Sequence, residues 1–124
     1  MSSMFETDSS LRLVLTTVSD EQAARTLAND AIEQRLAACA QLGPAVESIY
    51  PWQGRIESQT EVVLTLKTTT ARLSALKQRV LERHPYDLPE LIVLPVIETT
   101  AAYLNWARDW VEGDATVTST KEPL

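Results

Sequence analysis

The segment His84-Pro85-Tyr86-Asp87-Leu88-Pro89-Glu90, followed at once by the apolar run Leu91-Ile92-Val93-Leu94-Pro95-Val96, sets a joint that any fold of this chain must respect. Upstream, Leu73, Leu76, Lys77, Val80 and Leu81 recur at helical spacing, and His84 falls on the same stripe. Pro85 ends that helix, because the residue before proline avoids the α region. Downstream, Leu91 to Ile97 reads as a strand, with Pro95 marking a bulge or an edge. The joint holds the only histidine and two of the six prolines, so it is the first place to look for chemistry.

The rest of the chain alternates between the two periods. Leu11 to Val18 reads as a buried strand. Ser19-Asp20-Glu21-Gln22 matches a capping box with Ser19 as N-cap, and Ala24, Leu27, Ala28, Ala31 and Ile32 continue as a helix ending near Arg35. Leu36 to Leu42 is a second apolar strand, interrupted by Gly43-Pro44. A long hairpin over roughly 45–67 follows, reversing at Gln53-Gly54. In its return strand Val62, Leu64 and Leu66 share one face, and Glu61, Val63, Thr65 and Lys67 the other. Pro51 places its strand at a sheet edge or a bulge. Thr68-Thr69-Thr70 offers caps for the second helix, and Thr100 for a third whose Tyr103, Trp106, Ala107, Trp110 and Val111 form an aromatic stripe.

The order β-α-β-β-α-β-α predicts an α+β fold, a ferredoxin-like sandwich with an additional C-terminal helix. Residues 1–10 read as a disordered N-terminal segment, 11–112 as a single domain, and 113–124 as a flexible tail. One sheet face stays uncovered in such a fold, and the hairpin tip carries Tyr50, Pro51 and Trp52. This pattern predicts self-association.

Charge narrows the functional classes. Seventeen acidic against eleven basic residues give a net charge of −6, which argues against nucleic acid as a partner, since phosphate binding needs clustered Lys and Arg. No apolar run reaches the roughly 20 residues of a membrane span, and the first ten residues lack the pattern of a signal peptide. These features predict a cytoplasmic protein. The three glycines form no phosphate loop, no dinucleotide or Walker pattern occurs, and nothing sets a nucleophile beside His84; the chain reads as a non-enzyme.

His84 offers a neutral imidazole to a metal, steadied by Glu90, or else caps the last carbonyls of its helix. Cys39 offers a thiolate for a soft metal such as copper, and the simpler reading is a small buried core residue. Two ligands fall short of a metal site within one chain. Glu57, Glu61 or Glu98 could add carboxylates between subunits, and otherwise form a solvated face or ion pairs with Arg55 and Lys67. Tyr50, Trp52 and Trp106 could line an inter-subunit cleft or simply pack an interface. The candidate cleft comprises Tyr50, Trp52, Glu61, Lys67, Tyr86, Glu90 and Trp106.

Four segments carry a family resemblance: Arg35-Leu-Ala-Ala-Cys39-Ala, Ser48-Ile-Tyr50-Pro-Trp52-Gln-Gly54, Glu61-Val-Val-Leu-Thr-Leu-Lys67-Thr68-Thr69 and the His84–Glu90 joint. In this order and spacing they resemble the CutA divalent-cation tolerance family, over roughly residues 11 to 111. The resemblance implies a homotrimer of ferredoxin-like subunits in the cytosol, a role in tolerance of divalent metal ions, and binding of copper or another divalent cation in some members. The architecture is also similar to the PII signalling proteins, which take small effectors between subunits. The chain departs from some copper-binding members at Thr16, where they have a cysteine, and at Arg83-His84, where they have two histidines.

Overall fold

The computed structural model describes residues 4–113. Its central layer is a four-stranded antiparallel sheet built from β2 (Leu11–Val18), β3 (Cys39–Trp52), β4 (Arg55–Thr69) and β5 (Ile92–Pro95), in the order β3-β4-β2-β5. With helices α1 (Glu21–Glu33) and α2 (Thr70–Arg83) in the crossovers, this is the α+β ferredoxin-like arrangement. Strand alternation explains the core. Val14 and Val18 of β2 meet Leu64 and Leu66 of β4, and this face receives Ala24, Leu27, Ala28 and Ala31 of α1 with Leu76 and Val80 of α2. The small alanines let α1 approach the sheet closely. The opposite face leaves Ile92 and Leu94 45% and 41% exposed. Helix α3 (Ala101–Val111) buries Leu104 and Ala107 against Leu11, which points away from Val14 and so forms a separate cluster.

The hairpin is longer than its sequence pattern suggests. Gly43-Pro44 does not end a strand; the register shifts between Leu42 and Ala45 and pairing continues. The reversal has positive φ at both Gln53 (50°) and Gly54 (79°), the requirement of a tight two-residue hairpin turn. The β2–β4 ladder stops at Val18↔Val62. Beyond it β3 and β4 continue as a two-stranded ribbon to Trp52↔Arg55. Pro51 lies on the edge strand β3, where its missing N–H leaves no ladder bond unmade.

Three expectations need correction. Residues 1–10 are not wholly disordered: β1 (Phe5–Thr7) pairs with β6 (Glu98–Thr100), and the Ala101 amide donates to the Met4 carbonyl. Ser9 is buried and donates to the Val96 carbonyl at 2.7 Å. The strand expected over Leu91 to Ile97 is shorter, ending as β5 at Pro95, and the chain beyond it forms the separate β6, which pairs with β1. The N-cap of α1 is Asp20 rather than Ser19; its extended backbone aims the carboxylate at the Ala23 amide, 2.8 Å away, and its charge suits the helix N-terminus. Thr100 caps α3 as expected, accepting from the Tyr103 amide at 3.2 Å. The tail expected over 113–124 lies, beyond Gly113, outside the described residues.

Asp20→Ala should therefore lower stability by about 1 kcal/mol, read as a shift in urea midpoint, while Ser19→Ala should leave the midpoint nearly unchanged. Equal effects at the two positions would contradict the capping geometry.

Candidate functional site

The helix-to-strand joint builds the site. His84 is the C-cap of α2 with an extended backbone (φ −68°, ψ 135°), as Pro85 requires. The residue is buried, 9% exposed. Nε2 lies 3.0 Å from the Thr17 carbonyl and 3.0 Å from Thr16 Oγ1, while Nδ1 accepts from the Tyr86 amide at 3.1 Å. A carbonyl only accepts and an amide only donates, so the proton sits on Nε2 and the ring is neutral. Thr16, fully buried, donates in turn to the Glu90 carbonyl at 2.6 Å. The C-terminal end of β2 thus grips both ends of the loop, and Tyr86 is seated with its ring centroid 4.8 Å from that of His84.

From Tyr86 a hydrogen-bond chain runs across the hairpin. Tyr50 Oη donates to Gln59 Oε1 at 2.8 Å, Gln59 Nε2 to Tyr86 Oη at 3.4 Å, and Tyr86 Oη to Glu61 Oε2 at 2.8 Å. Glu61 is 7% exposed. Burial, then the neighbouring Glu61, pushes the Tyr86 hydroxyl pKa far above its usual value, so Tyr86 remains a donor. Around this chain opens a cavity of about 710 Å³, whose lining includes Thr17, Tyr50, Trp52, Gln59, Glu61, Tyr86, Asp87 and Glu90.

The joint and the hairpin thus bring together Tyr50, Trp52, Glu61, Tyr86 and Glu90. Lys67, Trp106 and Cys39 lie elsewhere. Cys39 pairs across the ladder with Lys67, and with Trp106 it lines a separate depression of about 390 Å³ beside α1. Lys67 Nζ sits 5.6 Å from the Tyr103 ring, whose hydroxyl is pushed up to about 12 by burial and by the adjacent Cys39. Glu61 is neither a solvated residue nor an ion-pair partner of Arg55 or Lys67; the loop after α2 folds over it and Tyr86 becomes its partner. Gln59 was not among the expected site residues, although it lies two positions from Glu61 and so on the same strand face.

These residues do not fit a metal ion within one chain. Cys39 is level with Leu13, and His84 with Thr16 and Thr17. That separates them by roughly 10 Å along the strands, with β4 between. Both nitrogens of His84 are engaged, and among the described residues no group of three His, Cys, Asp or Glu side chains converges as a metal site.

Fold and site together define a ferredoxin-like protein with an acid-lined aromatic cavity at the root of a projecting hairpin. The profile of the CutA1 divalent ion tolerance protein family matches residues 12–110, and the chain belongs to this family. The divalent-cation tolerance protein CutA of Thermus thermophilus is 45% identical over 97 residues, 78% of this chain and 94% of that protein. The structure of CutA from Synechococcus elongatus PCC7942 is similar with a TM-score of 0.83 at 43% identity, covering 86% of this chain and 95% of that one. The structure of that protein complexed with a Bis-Tris molecule gives 0.78 at 42%, over 85% and 97%.

Burial holds the His84 pKa below its ordinary 6.5. The unfolded chain therefore takes up a proton before the folded one does. The stability this site contributes is complete above about pH 6.5 and declines as pH falls toward the lower folded-state value. His84→Gln should cost about 1–3 kcal/mol at pH 7 and should flatten the fall in urea midpoint between pH 7 and 5. A variant with an unaltered pH slope would contradict the assignment.

Proposed function

We propose that this chain serves divalent-cation tolerance as a non-enzymatic, cytoplasmic homotrimer whose working site is the cavity beside Tyr86, and that this site takes a cationic ligand. One observation carries the reading. The buried Glu61 carboxylate has Tyr86 as its hydrogen-bond partner and, among the described residues, no Lys or Arg within ion-pair distance. A buried carboxylate without a counter-charge attracts a cation.

Assembly is supported by the apolar surface of one chain. Ile49, Trp52 and Ile56 on the projecting ribbon are exposed, as are Ile92 and Leu94 on the open sheet face. Surface of this kind is favourably covered by a second copy, and the family resemblance supplies the number three. Copper or another divalent cation at this cavity needs further donors from an adjoining subunit, because the donors of one chain do not converge. The free, buried Cys39 suits a reducing compartment. His84 has both ring nitrogens engaged, which supports a role in placing Tyr86 over one as a metal ligand.

The aromatic wall of Tyr50, Trp52 and Tyr86 favours a second reading, a small organic effector bound as in PII-like assemblies. The Bis-Tris molecule in the Synechococcus elongatus relative lends support to it.

Native mass spectrometry at submicromolar protein should return a trimer, and Trp52→Ala should shift it toward smaller species. A monomer would overturn the assembly. Cations that raise the thermal midpoint of the natural chain should fail to do so for Glu61→Gln; an undiminished shift would place the working site elsewhere.

A further inference from the structure

We infer that the cavity beside Tyr86 binds an organic ammonium ion of the di- or polyamine class in place of a bare metal ion. The inference rests on the reading of this cavity as a cation site and names the ligand class. Three features of the wall converge on it. The first is charge: Glu61, Asp87 and Glu90 line the cavity, and among the described residues no Lys or Arg does. The second is spacing. These carboxylates do not meet at a common point, whereas a metal ion needs its oxygen donors converging at about 2.0–2.6 Å. Separated carboxylates instead match separated amino groups, and a volume of about 710 Å³ lies in the range of small-molecule sites.

The third is the direction of the hydrogen bonds. Each step from Tyr50 through Gln59 and Tyr86 points its proton toward Glu61. The hydroxyl protons of Tyr50 and Tyr86 are therefore engaged within the wall. Toward a ligand these oxygens act as acceptors, which suits N–H donors and disfavours anions. The rings add to this. The chain's own cations sit on Trp110 (Arg35, 4.2 Å) and Tyr103 (Lys67, 5.6 Å). Tyr50, Trp52 and Tyr86 hold no such cation among the described residues and can receive an alkylammonium group.

The test is calorimetric titration of the full-length assembled protein with spermidine, and separately with Mn(II) and Zn(II). Spermidine should bind, and Glu61→Gln should weaken it at least tenfold. Asp87→Asn at an exposed position should weaken it severalfold and guards against misfolding of the Glu61 variant. Glu33→Gln, an equal charge change on α1 away from the cavity, should leave binding unaltered. Equal losses in Glu33→Gln and Glu61→Gln would mean general attraction to an acidic chain and would overturn the inference. Glu61-dependent binding of Mn(II) or Zn(II) without spermidine binding would overturn it while keeping the cation site. Failure of every cation would overturn both.

Discussion

The ring of His84 holds three parts of the molecule together. Its Nε2–H reaches the end of β2, its Nδ1 receives the Tyr86 amide, and its backbone closes α2. Each hydrogen bond is worth only about 1 kcal/mol net. Together they decide where Tyr86 sits, and Tyr86 in turn decides that Glu61 is covered. Pro85 contributes by forcing the extended backbone that swings the chain out of the helix at this point. The neutrality of the ring belongs to the same arrangement, since a proton on Nδ1 would face the Tyr86 N–H and break the joint. The features that make His84 a good fastening also occupy the lone pair a metal would need.

The cavity depends on this joint from one side and on the hairpin from the other. β3 and β4 run past the end of β2, so Tyr50 and Trp52 stand opposite the loop without a third strand between. The ribbon leaves apolar side chains exposed at its tip. The cavity and the proposed subunit contact therefore share one structural cause, the surplus length of the hairpin.

Much of this was legible in the sequence, because periodicity, proline and turn chemistry act locally. The alternation in β4, the Gln53-Gly54 reversal, the Thr100 cap and the stop at Pro85 each follow from a few neighbouring residues. What was not legible depends on contacts between distant segments. The strand Phe5–Thr7 has no hydrophobic alternation of its own and exists because Glu98–Thr100 lies beside it. Glu61 reads as a solvent-facing residue until a loop 25 residues later covers it. Trp106 looks like a partner for Trp52 by type, yet α3 packs near Cys39 and α1. The capping residue of α1 was off by one because Ser19 and Asp20 both carry capping side chains, and only the backbone angle at Asp20 selects between them.

The most direct measurement is the ¹⁵N NMR spectrum of the His84 ring at neutral pH, recorded before and after addition of Cu(II) or Zn(II). With a single histidine in the chain the signals are unambiguous. A protonated Nε2, an unprotonated Nδ1 and no response to metal are the result required of a ring that fastens the Tyr86 loop. A doubly protonated ring, the opposite tautomer, or a metal-dependent change at either nitrogen would contradict that role and return His84 to the list of metal ligands.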